Sequence, residues 1–241
     1  MPLDVNELGQ TIGFQVDGWT PPPRPPREIL DGRTCRLELL DAARHGADLH
    51  SANLLDADHR NWTYLPYGPF VRLDDYLDWV RSVAGKDDPQ FHAIVDGGTG
   101  QAVGVASYLR IDPAAGSIEV GHINYSPLLQ RTVAATEAMY LMMRRAFELG
   151  YRRYEWKCHA LNAPSRAAAQ RLGFSYEGVF RQARVDKGRN RDTAWYAMID
   201  KEWPALDRAF RQWLHPSNFD RKGRQLTSLT ALTAPILVAR G

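Results

Sequence analysis

Two periods of apolar residues alternate along the chain, and the switches between them set out most of its elements. "TCRLELL" (34–40) carries a weak alternation that predicts a first strand. "DAARHGADLHSAN" (41–53) then places apolar positions at helical spacing behind Asp41, a residue type suited to an N-cap. "LDDYLDWVRSVA" (73–84) predicts a second helix. "FHAIVD" and "QAVGVASYLRI" flank the turn signal "GGTG", and "DPAAGS" leads into "IEVGHINYS", so three consecutive antiparallel strands are expected. In the third, Ile118 and Val120 alternate, but Ile123 and Tyr125 fall in the opposite phase. One inserted residue near Gly121 and His122 produces that change, the mark of a β-bulge whose unpaired backbone groups can grip a ligand.

Helical spacing returns with Ala135, Ala138, Met139, Met142, Ala146 and Phe147, which share one face of a helix ending at Gly150. "YEWKC" sets Tyr154, Trp156 and Cys158 on one side of a strand. "NAPSRAAAQRLGF" (162–174) predicts a short helix with Asn162 near its cap, Pro164 in its first turn and Gly173 past its end. Strands "YEGVFRQARV" and "AWYAMI" follow around the turn "DKGRNRDT", and "WPALDRAFRQWL" is a further helix.

Three segments emerge. Residues 1–27 hold "PPPRPP", which fits neither helix interior nor central strand, so this is a proline-rich arm lying over the domain or a flexible lead. Residues 28–204 form the main domain. Residues 205–241 are a helix and a tail whose "LTSLTALTAPILVA" is apolar enough to pack on the domain or on a second subunit, as in a homodimer. Between the first two helices, "NWTYLPYGPF" (61–70) concentrates four aromatics, two prolines and a glycine in a rigid loop.

Composition narrows the classes. The chain has 241 residues, 44% hydrophobic, with a formal charge of +2 and no long run of one sign, which argues against nucleic acid or an anionic membrane as partner. Cys35 and Cys158 stand alone, as free thiols of a reducing compartment would. Nothing resembles a signal peptide or a run of about 18 apolar residues, so a cytoplasmic location is expected. His45, His50 and His59 lack metal-ligand spacing; no metal is expected, and all three are read as solvent-facing.

Taken in order, "LLQRTVAATEAMYLMMRRAFELGYRR", "NAPSRAAAQRLGFSYEGVFRQ" and "GRNRDTAWYAMIDKEW" resemble the GNAT N-acyltransferases, and within them the RimJ/RimL-like branch. The likeness spans roughly residues 33–203. It implies an α/β fold with a mixed, mostly antiparallel, V-splayed sheet and helices on both faces. It also implies acetyl-CoA as co-substrate and direct transfer, in a ternary complex, to a primary amine of a small molecule or a peptide N-terminus. The family's pyrophosphate loop, Q/R-x-x-G-x-G/A, matches Gln130, Arg131, Thr132, Val133, Ala134 and Ala135, running into Thr136, so Val133 stands where the family has its central glycine. Helix-terminal amides attract phosphate without glycine, which adds only freedom of φ and room for close approach.

By the same resemblance, His122, Ile123 and Asn124 offer a backbone N–H to the thioester carbonyl, and Asn162 binds the pantetheine arm. Many members carry a tyrosine as proton donor to the leaving thiolate; that position is Ala169 here, and Ser165 is the substitute, unless it merely caps its helix. A carboxylate that some relatives carry after "EG" is absent from "RQAR". Glu119 and His122, flanking the bulge, are the candidate bases, with Glu177 a third and Asp192 read as a turn or salt-bridge residue. Cys158, on an apolar face, is read as structural. Trp62, Tyr64, Tyr67 and Phe70 would line the acceptor pocket or form the loop's own mini-core. Two other readings stay open: a non-catalytic CoA-binding module, and transfer from another donor such as succinyl-CoA, its distal carboxylate paired by Arg131 or Arg184.

Overall fold

The computed structural model describes residues 3–241. A short hairpin, β1 (Asp4–Val5) and β2 (Thr11–Ile12), lies in the arm, followed by β3 (Leu30–Asp31) and β4 (Cys35–Leu39). Helices α1 (Ala42–Asn53) and α2 (Leu73–Val83) precede the meander β5 (Gln90–Asp96), β6 (Ala102–Asp112) and β7 (Ser117–Tyr125). Then come α3 (Val133–Glu148), β8 (Arg153–His159), α4 (Ala163–Arg171), the hairpin β9 (Ser175–Asp186) and β10 (Arg189–Ile199), α5 (Trp203–Leu214) and α6 (Leu229–Thr233). The main sheet has the order β3-β4-β5-β6-β7-β8-β10-β9, antiparallel except where β7 runs parallel to β8.

Local signals place the helix ends. Asp41 accepts from Arg44 N and caps α1, and Asn162 accepts from Ser165 N and caps α4. Gly150, at φ +97, lets the chain leave α3 directly into β8. One core lies between the sheet and α3, α4, α5 and α6; Ile118, Val120, Tyr154, Trp156 and Cys158 all point into it. A second, smaller core under α1 and α2 covers β5 and β6. Helices thus sit on both faces, as the family resemblance implied.

Several expectations need correction. His45 and His50 are buried, not solvent-facing. His45 accepts from Asp41 N at 3.1 Å while its Nε2 meets the buried Glu38 carboxylate at 3.1 Å, and His50 packs against Tyr76. The pattern concealed this because a histidine satisfied by its own helix cap has the sequence look of a polar surface residue. The last hairpin is longer than "DKGRNRDT" suggested: both strands continue to a two-residue turn, Lys187–Gly188, with positive φ at both positions. The polar residues flanking that turn are strand residues, and Arg191 among them lines a cleft.

The arm lies against the domain. Gln90 donates to Pro25 O, Tyr151 to Pro23 O, and Arg152 sits over the Trp19 ring. At the other end, Asn218 donates to Trp213 O and Thr227 O, and Leu229 enters the main core. None of the helices is long and apolar enough to cross a membrane among the described residues.

Candidate active site

β7 and β8 pair from Ser117 opposite Arg153 to Val120 opposite Trp156, and no further. The cause lies in β7: Gly121 pairs with Ser107 and Asn124 with Val105, so His122 and Ile123 together face one residue of β6. This is the expected bulge, and His122 takes the left-handed conformation, φ +51. Beyond it the strands part around a cleft. Its lining includes Asn61, Tyr64, Glu119 to Ile123, Trp156 to His159, Asn162, Ser165, Arg184 and Arg191. Asn124, the paired residue that follows the bulge, is buried, and neither of its side-chain polar atoms has a hydrogen-bond partner within the protein.

One wall presents a hydroxyl. Trp156 Nε1 donates to Ser165 Oγ at 3.1 Å, and the Ser165 backbone N–H goes to Asn162 Oδ1 at 3.2 Å. With an acceptor site of Oγ occupied, the Ser165 hydrogen is free to be given away. The buried Cys158 thiol lies beside it; burial pushes its pKa up, against the pull of Ser165 and nearby arginines. Burial, with Glu137 and Asp96, pushes Cys35 up to about 12. Neither thiol is a nucleophile in this setting.

The opposite wall holds an imidazole. His122 stacks on Tyr67 with ring centroids 5.7 Å apart and packs against Phe91 at 5.1 Å. Burial, then the charges of Arg110, Arg184 and Arg191, bring its pKa down to about 4, so it is neutral at pH 7. Glu119 is tied instead into an ionic chain across the sheet. It meets Arg110 at 2.6 Å and Lys157 at 2.9 Å, Lys157 meets Glu155, and Glu155 meets Arg153. Burial pushes the Glu119 pKa up against both cations. Glu177 is held bidentately by Arg153, outside the cleft. Asp192 accepts from Gln182 N and Asn190 Nδ2 at a hairpin bulge.

Of the four aromatic candidates, Tyr64 lines the cleft and donates to Leu161 O at 3.2 Å. Tyr67 reaches it only as the plate behind His122. Trp62 and Phe70, edge to face at 5.5 Å, belong to the smaller core, which is the mini-core alternative. Sequence reasoning missed Asn61 and Arg191. Asn61 donates to Tyr125 O and accepts from Gln130 Nε2, tying the aromatic loop to the end of β7. Its only sequence signal was its place at the head of that loop.

The loop before α3 resolves the missing glycine. Left-handed backbone falls on Arg131, φ +62, while Val133 is the first helical residue and needs no special φ. Thr132 caps the helix by accepting from Ala135 N at 3.1 Å. Arg171, at the end of α4, donates to Thr136 Oγ1 at 2.9 Å, adding a guanidinium near this helix start. Free amides at the helix start, Arg131 and Arg171 make a fit for a phosphate chain. Ala169 is buried, with no hydroxyl where many relatives have a tyrosine. Among the described residues, no group of three or more His, Cys, Asp or Glu is placed to hold a metal.

The model of the Acetyltransferase (GNAT) domain matches residues 36–175. A GCN5-related N-acetyltransferase from Brucella melitensis is 46% identical over 91% of this chain and 100% of its own, with a TM-score of 0.89. The chain belongs to the GNAT acetyltransferase family. GNAT enzymes move an acetyl group from acetyl-CoA to an amine, and the transferase assignment extends to this chain. A GNAT-family protein from Chromobacterium violaceum is 43% identical over 79% of this chain and 96% of its own, TM-score 0.74. The ribosomal alpha-N-protein acetyltransferase RimL shares the GNAT fold at 22% identity, over 71% of this chain and 94% of its own, TM-score 0.61. No curated protein matches the chain.

Proposed function

We propose that this protein transfers acetyl from acetyl-CoA to a primary amine of a small molecule or peptide N-terminus, directly and without an acyl-enzyme. The observation carrying the reading is a single cleft, opened by the bulge, that holds a neutral imidazole on one wall and an unspent hydroxyl proton on the other. The pyrophosphate would lie on the amides that open α3, with Arg131 and Arg171 adding charge and Asn162 meeting the pantetheine arm. Backbone N–H groups at His122 to Asn124 would polarise the thioester carbonyl. The surrounding guanidiniums favour the neutral, nucleophilic amine over its ammonium form. As the C–N bond forms, His122 accepts the proton the amine sheds; as the C–S bond breaks, Ser165 gives its proton to the departing thiolate. Glu119, bound by two cations, holds Arg110 and Lys157 in place rather than acting as base. The RimJ/RimL-like motifs support a place in that branch.

The test is CoA-thiol release from acetyl-CoA across a panel of amines and short peptides, with calorimetric binding of acetyl-CoA alongside. Release with one acceptor class, slowed by Ser165→Ala, supports the assignment. Absence of acetyl-CoA binding at millimolar concentration would overturn it. The buried Ala169 favours a second reading, a CoA-binding module without turnover, which one fast acceptor would eliminate.

A further inference from the structure

The β9–β10 wall of the cleft carries more positive charge than it neutralises. Arg184 and Arg191 stand directly opposite each other across the hairpin, and like charges so placed cost stability unless an anion lies between them. One carboxylate serves both: Asp186 meets Arg191 Nη1 at 2.8 Å and Arg184 Nε at 3.5 Å. The Arg191 side chain is only 13% exposed, yet its Nε is buried without an acceptor. An enclosed donor left unpaired is unfavourable. Both residues line the cleft that contains His122, and the imidazole feels both charges. The other cations there are committed, Arg110 to Glu119 and Lys157 to Glu119 and Glu155. On the β9–β10 wall, by contrast, two guanidiniums share one carboxylate and Arg191 Nε has no acceptor.

We propose that the acceptor is a small anionic amine, held with its amine beside His122 and a carboxylate or phosphate on Arg184 and Arg191. This rests on the acetyltransferase reading and narrows its substrate class. The Tyr64 hydroxyl donates to Leu161 O, tying the aromatic loop to the lead-in of α4 beside the cleft. A succinyl donor could bring a carboxylate to the same wall. Arg131, the other candidate for that role, is exposed in the loop before α3 and does not line the cleft. Cationic acceptors such as polyamines meet two guanidiniums and are disfavoured.

The experiment measures thiol release with free amino acids, their amides, aminoalkyl phosphates and the matching amino alcohols, using acetyl-CoA and succinyl-CoA in parallel. Expected is a KM at least tenfold lower for anionic acceptors than for neutral counterparts, with the carboxylate and phosphate arms naming the anion. Arg184→Gln should bring that ratio to about one, and Arg191→Lys, which keeps a charge for Asp186, should reduce it. Equal or better use of neutral or cationic amines would overturn the inference, as would preference for succinyl-CoA abolished by Arg184→Gln. Failure of the acetyltransferase reading looks different: no amine releases thiol. The anion site is then judged by thermal shift with N-acetyl amino acids against N-acetyl amino amides. Stabilisation by the acids alone, lost in Arg184→Gln, upholds it; no difference sinks it.

Discussion

Ser165 and His122 make opposite demands on their surroundings, and each demand can be measured. Ser165→Ala removes a proton donor, so kcat should fall about 100-fold, and it leaves the buried Trp156 Nε1 without its acceptor, which should cost about 1–3 kcal/mol of stability. Trp156→Phe leaves the hydroxyl present but no longer oriented by the indole N–H; a smaller loss in kcat with acetyl-CoA affinity retained would mark Trp156 as a positioning residue. For His122, burial and three guanidiniums set the titration near pH 4. The pH profile should therefore show no histidine limb between pH 6 and 8, and activity should fall only as pH approaches 4. A limb near 6.5 would show that His122 is not the titrating base. Ser165 was readable from "NAPS" because a helix cap fixes its neighbours locally. The neutrality of His122 was not, since it depends first on burial and then on arginines 12 to 69 positions away in sequence.

Among the elements, the loop into α3 carries the most instructive departure from its family. Arg131, not Val133, takes positive φ, where a β-branched side chain is a greater outlier than arginine, so Arg131→Val should lower Tm. Arg131→Gly should cost little in stability yet weaken acetyl-CoA binding through the lost charge, as calorimetry on both variants would show. The tail from α5 onward makes a separate prediction. Trp213 donates to Gln225 Oε1 at 2.8 Å and packs edge to face on Phe219. Deleting residues 219–241 should expose that indole, giving a red-shifted tryptophan emission and a lower Tm. Helix ends were legible because caps and glycines act within a few residues. The length of the last hairpin was not, because "GRNRD" has a turn's composition and extends as strand only when paired along the cleft.

Over the whole molecule, the buried His92 and the half-buried His122 couple fold stability to acid. His92 and His122 both have pKa values brought down to about 4, chiefly by burial, against an unfolded value of 6.5. Between those values the unfolded chain binds more protons, so stability present above pH 6.5 is lost as pH falls toward 4. Denaturant midpoints measured from pH 7 to 4 should decline in that window, and His122→Gln should flatten part of the decline. The ionic chain from Arg110 to Arg153 crosses three strands, and Glu119→Ala would leave Arg110 without its carboxylate and Lys157, whose side chain is 8% exposed, with Glu155 alone. A loss of stability is expected in unfolding measurements, and Glu119→Ala with Glu155→Ala, which leaves the Lys157 ammonium unpaired, should cost about 3 kcal/mol or more. By itself, the sequence determined what rests on short-range periodicity and backbone chemistry: strand and helix order, the bulge, the caps and the family resemblance. Only the tertiary structure decided which polar residues meet in the cleft: Asn61 with Gln130, Arg184 with Arg191, and Glu119 with its two cations. Asn61 with Gln130 and Glu119 with Lys157 are brought together from segments far apart in sequence, and Arg184 with Arg191 by the register of their hairpin; a side chain's charge state and partners are set by that surrounding field, which no local pattern encodes.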